Sequence, residues 1–118
     1  MSFSELCATT NFTFLNGVSH PEEYVKRAFE LNLKSIAITD VNSVAGVVRA
    51  HRELVKIRNN LSKNQKITPK LIPGSCLKTN SGIFITALPI NKKGWAELCS
   101  LLSKGYARSN KGSCNISL

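Results

Sequence analysis

The chain lacks the features that would direct it into or across a membrane. No stretch approaches the roughly 20 consecutive apolar residues that a membrane-spanning helix requires. The opening segment MSFSELCATTN has neither the basic start nor the apolar core of a secretion signal. We therefore expect a soluble, cytoplasmic protein with no membrane partner.

The cysteines lack the spacing of a disulfide framework or of a zinc ribbon. The chain has four of them, Cys7, Cys76, Cys99 and Cys114, and none belongs to a Cys-x-x-Cys pair. Zinc ribbons carry their ligands as two closely spaced pairs, and structural disulfides are rare in a reducing cytoplasm. We therefore expect free thiols.

Acidic residues are scarce in the second part of the chain. The formal net charge is +9, with three basic and five acidic residues in 1–48 but 13 basic and two acidic residues in 49–118. A basic region attracts nucleic acid, so DNA is a candidate partner, although the few aromatics argue against a base-stacking platform and a solvated basic face is the alternative. The candidate DNA contacts are Arg49, Arg52, Lys56, Arg58, Lys92 and Lys93.

Short apolar runs alternate with one strongly helical segment in the first part of the chain. FSELC predicts a strand, TTNFTFLNG a loop, and SHPEEYVKRAFELN a helix with a capping box of Ser19 and Glu22 and a stop at Asn32. LKSIAITD predicts a strand buried on both faces, which ends in the chain's only aspartate, Asp40. Together these segments predict a βαβ unit with parallel strands.

A second helix, two strands and a third helix are predicted in the remainder. VAGVVRAHRELVKIRN suits a helix capped by Asn42 or Ser43, and the polar segment Asn59–Thr68 suits a loop. KLIPGSCLKT and IFITAL suit strands joined by a turn at 80–82, with a bulge or break at Pro73 and Gly74. Asn91 opens KKGWAELCSLLSKGY, and residues 115–118 resemble the start of another strand. The expected apolar stripes are Val44, Val47, Val48, His51, Leu54 and Val55 on the second helix and Trp95, Leu98, Leu101 and Leu102 on the third.

The order of these motifs resembles that of a known family. NFTFLNG, SHPEE, AITDVNSVAGVVRAH, IPG, GWAELCSLLSKGYAR and KGSCNISL resemble, in this order and spacing, the PHP (polymerase and histidinol phosphatase) domain. The likeness is to the domain at the N-terminus of bacterial DNA polymerase III alpha subunits, closest to the error-prone branch. It implies an α/β fold over residues 1–118, an incomplete PHP-type (β/α) TIM-like barrel with about four or five strands and three helices.

The resemblance also implies five positions at which metal-binding PHP domains carry ligands. The His-x-His motif falls at Cys7 and Thr9, and a loop aspartate falls at Asn16. The histidine after the second strand falls at Val41, and the glutamate of the third strand falls at Cys76. None of these side chains is a strong ligand for a hard cation. We therefore expect a degenerate metal site, no cofactor and no catalytic residue.

Asp40 is the residual candidate at this site. It is either a relic of the metal site or an acceptor that orders the loop or caps the next helix. A thiolate site of Cys7, Cys76 and Asp40 is the alternative to simple packing of the two cysteines. His20 is a turn residue, a metal ligand or an acid, and His51 is expected as a satisfied, partly buried histidine on the second helix.

The function implied by the resemblance is that of a PHP segment of an error-prone, translesion DNA polymerase. Its role in DNA replication and repair would be structural, because the palm, fingers and thumb of this nucleotidyltransferase family are absent and the chain alone is expected not to be catalytic. Its partners would be the remaining polymerase domains, in the same polypeptide or as a split chain; a truncated remnant is the third possibility. An open sheet edge predicts self-association. The alternatives are a free-standing metal-dependent PHP phosphoesterase and a basic DNA-binding module.

Overall fold

The computed structural model describes residues 2–62 and 67–117. Its strands are β1 (Ser4–Ala8), β2 (Ser35–Ile38), β3 (Lys70–Pro73), β4 (Ser75–Lys78) and β5 (Phe84–Ala87). Its helices are α1 (Pro21–Glu30), α2 (Ala45–Asn60) and α3 (Lys92–Ala107). Of the loop predicted over Asn59–Thr68, the first two residues belong to α2, and residues 63–66 lie outside the described part of the chain.

The first three strands form a parallel sheet in the order β1-β2-β3. Parallel neighbours need a crossover between them, and α1 and α2 supply the two crossovers. The central strand β2 is buried at all of its residues, as expected for a strand covered on both faces. The predicted βαβ unit is therefore confirmed.

The run KLIPGSCLKT forms two strands in different sheets, which confirms the predicted break. β3 ends at Pro73, and after Gly74 the chain leaves the parallel sheet and forms the antiparallel β4–β5 hairpin. The turn at 80–82 is confirmed, with Gly82 at a φ of 83°. Because of the break, Cys76 of β4 lies beside Val41, just beyond the end of β2.

The capping box predicted for α1 is wrong. The residue before the first helical turn is His20, and no side chain caps this end of the helix. Ser19 lies one residue too early, where its carbonyl accepts a hydrogen bond from Asn11 N (2.9 Å), while Glu22 turns towards Arg49 instead of reaching back. The predicted stop is confirmed, since Asn32 has a left-handed φ of 56°.

The start of α2 also differs from the prediction. Val44 precedes the first turn and carries no capping hydrogen bond. Ser43 lies one residue before the capping position, which Val44 occupies. Its Oγ accepts a hydrogen bond from Ala45 N (3.1 Å). The Asn42 side chain is engaged elsewhere, because its Oδ1 accepts from Lys78 N (2.9 Å) in β4.

The buried stripe of α2 is rotated relative to the prediction. Buried side chains of α2 include Val47, Ala50 and Leu54, which join a hydrophobic core with residues of α1 and β2. Val48 is 64% exposed, and His51 and Val55 are also exposed, so their predicted inward positions are wrong. The predicted inward positions of Val44, Val47 and Leu54 are confirmed, and Gly46 and Ala50 join them on the buried face, where small residues let the helix approach closely.

A second hydrophobic cluster holds α3 against the hairpin. It contains Leu98 and Leu102 of α3, Leu77 of β4 and Ile116, with Trp95 packing against both clusters. The predicted start of α3 is confirmed, since Asn91 Oδ1 accepts from Gly94 N (2.9 Å). Leu101 is partly exposed, contrary to the prediction. The predicted final strand is absent from residues 115–117, and residue 118 lies outside the described part.

Candidate functional site

The centre of the site is the buried carboxylate of Asp40, directly after the carboxyl end of β2. Asp40 is 1% exposed. Its Oδ1 accepts hydrogen bonds from Thr10 N (2.7 Å) and Thr13 Oγ1 (2.8 Å), and its Oδ2 accepts one from Thr10 Oγ1 (2.7 Å). Thr13 Oγ1 in turn accepts from Val41 N (3.0 Å). The carboxylate thereby fastens the loop after β1 to the end of β2.

The same aspartate contacts two further elements. Its carbonyl accepts from Cys76 N (3.0 Å) and from Ser75 Oγ (2.9 Å), which attaches the start of β4. On the other side lies Gly46 of α2, where an added Cβ would meet Asp40 Oδ2 at 2.7 Å and Thr10 Oγ1 at 3.1 Å. The loop, β4 and α2 therefore meet at one buried residue, Asp40.

Residues 11–19 form a closed loop above this carboxylate. Asn11 N donates to the carbonyl of Ser19 (2.9 Å), and Asn16 N and Gly17 N both donate to the carbonyl of Thr13 (3.2 and 3.0 Å). An added Cβ at Gly17 would lie 1.9 Å from Thr10 O, so only glycine fits at this crossing of the chain. These contacts fix the loop backbone.

Three of the five positions that the resemblance matches to family metal ligands line one open cleft of about 460 Å³. Cys7, Thr9 and Asn16 share this cleft with Glu5 and Tyr24. Glu5 Oε1 accepts from Cys7 N (2.9 Å), and the Tyr24 hydroxyl donates to Thr9 O (2.9 Å). Sequence reasoning did not include Glu5 or Tyr24 in the site. Side chains alternate between the two faces of a strand, so Glu5 lies on the same face of β1 as Cys7. This alternation could have predicted Glu5 as a residue of the site.

The other two positions lie beside the cleft. Val41 and Cys76 pair as an isolated parallel bridge, and Cys76 is opposite Thr86 in the hairpin. Cys7 Sγ lies 3.9 Å from Thr86 Oγ1, so both thiols adjoin the same threonine. Within residues 2–62 and 67–117, no three His, Cys, Asp or Glu side chains are arranged to hold a metal ion.

The two histidines lie apart from the buried carboxylate. His20 is exposed before α1, with its Nδ1 3.2 Å from Asn11 Nδ2. His51 is exposed on α2, so the prediction of a partly buried histidine there is wrong. Its ring lies on the outer side because α2 is rotated about its axis relative to the predicted stripe.

Arg49, the first candidate DNA contact, is paired within the chain. Its Nε lies 2.7 Å from Glu22 Oε1, and its guanidinium lies 5.7 Å from the centre of the Phe12 ring. Partial burial alone would raise the pKa of Glu22. The hydrogen bonds from its own backbone N–H and from Arg49, with the charges of Arg49 and His20, outweigh burial and hold that pKa below its ordinary value of 4.5.

The other candidate DNA contacts divide between separate places. Arg52 and Lys56 line a shallow depression on α2 together with the acidic residues Glu22 and Glu53. Arg58 Nε donates to Thr68 Oγ1 (3.0 Å). Lys92 and Lys93 are exposed in the first turn of α3, and Lys92 borders an apolar groove that also contains Trp95. A role of these residues in DNA binding stays a prediction.

The α/β fold and the cleft at the carboxyl end of β1 are those expected of a member of the PHP domain family. The model of that family matches residues 6–116, and the chain belongs to it. The resemblance predicted from the sequence is therefore confirmed. No helix within the described ranges is long and apolar enough to cross a membrane.

The curated relatives are similar along the whole chain. Error-prone DNA polymerase of Ruegeria pomeroyi is 38% identical, over 100% of this chain and 13% of that protein. Error-prone DNA polymerase of Sinorhizobium medicae is 42% identical, over 99% of this chain and 10% of its own length, and that of Vibrio vulnificus is 38% identical, over 99% and 11%. The chain thus spans about a tenth of the length of these relatives.

A solved structure shares the fold. A Bifidobacterium adolescentis protein assigned as a metal-dependent phosphoesterase superposes with a TM-score of 0.60 over 90% of this chain and 34% of its own. The sequence identity is 20%, so this likeness concerns the fold alone. It confirms the predicted α/β class as a partial PHP fold, in which neither of the two sheets of the described residues is closed.

Proposed function

We propose that the chain is the N-terminal PHP segment of an error-prone, translesion DNA polymerase, and that it serves DNA replication and repair as a structural and interaction module. The observation that carries this proposal is the use of Asp40, whose carboxylate accepts three hydrogen bonds from the loop after β1. The similarity to error-prone polymerases along the whole chain supports the choice of parent protein. In this proposal residues 1–118 are one partial PHP domain.

The side chains at the former ligand positions do not fit the family's cluster of divalent metals. Cys7, Thr9, Asn16, Val41 and Cys76 offer two thiols, one hydroxyl, one amide and one side chain without a donor atom. Hard cations such as Mg²⁺ and Mn²⁺ prefer oxygen ligands, above all carboxylates, and imidazole suits Zn²⁺. Of the two nearby carboxylates, Asp40 already binds Thr10 and Thr13 through its two oxygens, and Glu5 accepts a hydrogen bond from Cys7 N. We therefore derive no hydrolytic step at this site.

The partners in this proposal are the remaining polymerase domains, joined in the same polypeptide or supplied as a split chain. Contact with DNA is secondary, because Arg49, Arg52 and Lys56 lie among glutamates of α1 and α2. Nearby carboxylates reduce the attraction of a basic surface for phosphates.

The proposal is tested with a chimera of the Sinorhizobium medicae polymerase. This chain replaces the N-terminal segment that it matches, and primer extension is compared with the native polymerase and with a version that lacks the segment. We expect DNA synthesis by the chimera and little or none by the shortened enzyme. A chimera as inactive as the shortened enzyme would contradict the proposal.

The phosphoesterase alternative is tested on the chain alone. Hydrolysis of p-nitrophenyl phosphate is measured with added Mn²⁺ or Zn²⁺, together with the metal content of the purified chain. We expect no hydrolysis above that of the metal ions in buffer. Metal-stimulated hydrolysis that disappears in Cys7→Ala and in Asp40→Asn would support the phosphoesterase instead.

A further inference from the structure

The closed loop above Asp40 presents three large apolar side chains to solvent. Phe14 is 84% exposed, Leu15 is 89% exposed and Val18 is 88% exposed. We call these three residues the apolar loop face. The neighbouring Phe12 differs from them, because it is less exposed and lies under the Arg49 guanidinium. Val18 also lines the cleft that contains Cys7.

This exposure does not result from a loose loop. The backbone is closed by Asn11 N donating to Ser19 O, by the two bonds to Thr13 O and by the contact of Gly17 with Thr10. The hydroxyl of Thr13 is in addition bound to a buried carboxylate. The backbone that carries the apolar loop face is therefore held by these contacts, and a partner that binds it has little backbone entropy to remove.

The backbone of Leu15 gives an independent reason to assign a role to its side chain. Its φ is 69°, in the left-handed region that glycine and asparagine tolerate better than leucine. Leucine at this position is thus disfavoured by its backbone and also leaves its side chain in water. Local strain of this kind clusters at functional sites, where a binding role compensates for its cost.

The chemistry of the loop selects the kind of partner. Residues 9–19 contain no charged side chain. Nucleic acid is bound mainly through contacts of Lys and Arg with phosphate, and this loop has none to offer. An apolar surface of a protein is the complementary partner.

The length of the relatives indicates which protein carries the apolar surface that contacts this loop. Segments similar to this entire chain, the loop included, belong to polymerases of which they form about a tenth. The remaining nine-tenths is tethered to the segment, so its effective concentration at the loop is high. We infer that the apolar loop face of Phe14, Leu15 and Val18 is a rigid docking surface for an apolar patch on the polymerase part of the same protein. This inference rests on the proposed function.

The chimera with the Sinorhizobium medicae polymerase tests the inference without altering the loop. Hydroxyl-radical modification of Phe14 and Leu15 is measured by mass spectrometry in the isolated chain and in the chimera. We expect both to react about tenfold more slowly in the chimera, because burial in a contact removes them from solvent. Val48, an exposed valine on α2, is the internal control and is expected to react equally in both proteins.

A variant then tests whether the contact stabilises the assembly. In Phe14→Ser/Leu15→Asn, the isolated chain should melt within about 2 °C of the unchanged chain, because the side chains are exposed and Asn tolerates the left-handed backbone. The same two substitutions in the chimera should accelerate proteolytic release of the segment about tenfold. An effect of this size is typical when one anchoring side chain of an interface is removed. Val48→Asn is the matched control and should change neither the melting temperature of the isolated chain nor the rate of proteolytic release from the chimera.

Each contrary result has a distinct meaning. A chimera that synthesises DNA but leaves Phe14 and Leu15 as reactive as in the isolated chain overturns the docking surface alone. Equal protection of Val48 also overturns it, because the loop would then be no more covered than α2. Protection of Phe14 that rises with the concentration of the isolated chain would identify a second copy as the occupant and contradict the inference. A chimera without DNA synthesis counts against the proposed function itself, and the inference falls with it.

Discussion

Removal of the Asp40 carboxylate is the most direct test of its role as the anchor of the loop. Asp40→Ala leaves three donors without their acceptor, namely Thr10 N, Thr10 Oγ1 and Thr13 Oγ1. Hydrogen bonds to a charged group contribute about 1.5–3 kcal/mol each, and a broken buried network costs about 3–5 kcal/mol when the loop relaxes and water reaches some donors. We take about 3–5 kcal/mol as the expected loss in the free energy of unfolding.

This loss is large compared with the whole stability of a small domain, which is about 5–15 kcal/mol. At about 4 °C per kcal/mol, the melting temperature should fall by roughly 10–20 °C. Asp40→Asn should lose about half as much, because the amide keeps one acceptor oxygen while its NH₂ group opposes one of the three donors. The measurement is thermal and urea unfolding of both variants, followed by circular dichroism.

The same experiment separates an anchor from a metal ligand. If Asp40 anchors the loop, Asp40→Ala should lose the same free energy of unfolding with a chelator as with added Mn²⁺. If Asp40 is a metal ligand, the loss should appear only when metal is present. Thr13→Val removes one of the three donors and also the acceptor of Val41 N, so it should cost about 1.5–3 kcal/mol, and only the part due to the bond with the carboxylate should disappear in the Asp40→Ala background. An Asp40→Ala protein that melts within about 2 °C of the unchanged chain would refute the reasoning.

Three further predictions follow from the same geometry. Gly46→Ala should lower the free energy of unfolding by about 1–3 kcal/mol in urea titrations, because the new Cβ would lie 2.7 Å from Asp40 Oδ2; a neutral effect would mean that α2 shifts freely. The folded-state pKa of Glu22 is depressed below 4.5, so its ion pair stabilises the fold above about pH 4.5 and is lost as the pH falls through the folded pKa. The difference in melting temperature between the unchanged chain and Glu22→Gln should accordingly shrink below pH 4.5, and a difference that grew in acid would contradict the assignment. Burial raises the pKa of the Cys114 thiol, whereas Cys7 is exposed, so iodoacetamide at pH 8 should alkylate Cys7 first in mass-resolved time courses, and the reverse order would count against the packing around Cys114.

Local sequence signals predicted those elements whose cause is local. The Asn91 side chain caps α3, Asn32 adopts the left-handed stop after α1, and Gly82 adopts the positive φ of the hairpin turn. Each of these depends on a few neighbouring residues, so the prediction needed no knowledge of the rest of the fold. The buried, β-branched character of β2 was visible for the same reason.

Other local signals were overruled by distant contacts. The capping box at Ser19 did not form, because Ser19 closes the loop through Asn11 and Glu22 pairs with Arg49 on another helix. Likewise, α2 buries Gly46 against Asp40 and leaves Val48, His51 and Val55 exposed, although the period of its apolar residues placed these three on the inner face. In both places a tertiary contact is stronger than the local preference of about 1 kcal/mol or less.

The sequence by itself determined the order of strands and helices, the family and the residue types at the positions matched to the family's metal ligands. All of these depend on local pattern and on the motifs. Only the tertiary structure decided that Cys7, Thr9 and Asn16 share one cleft and that Asp40 holds the loop that exposes Phe14 and Leu15. The physical reason is distance along the chain. Thr10 and Asp40 are 30 residues apart, and only the parallel pairing of β1 with β2 brings the hydroxyl to the carboxylate.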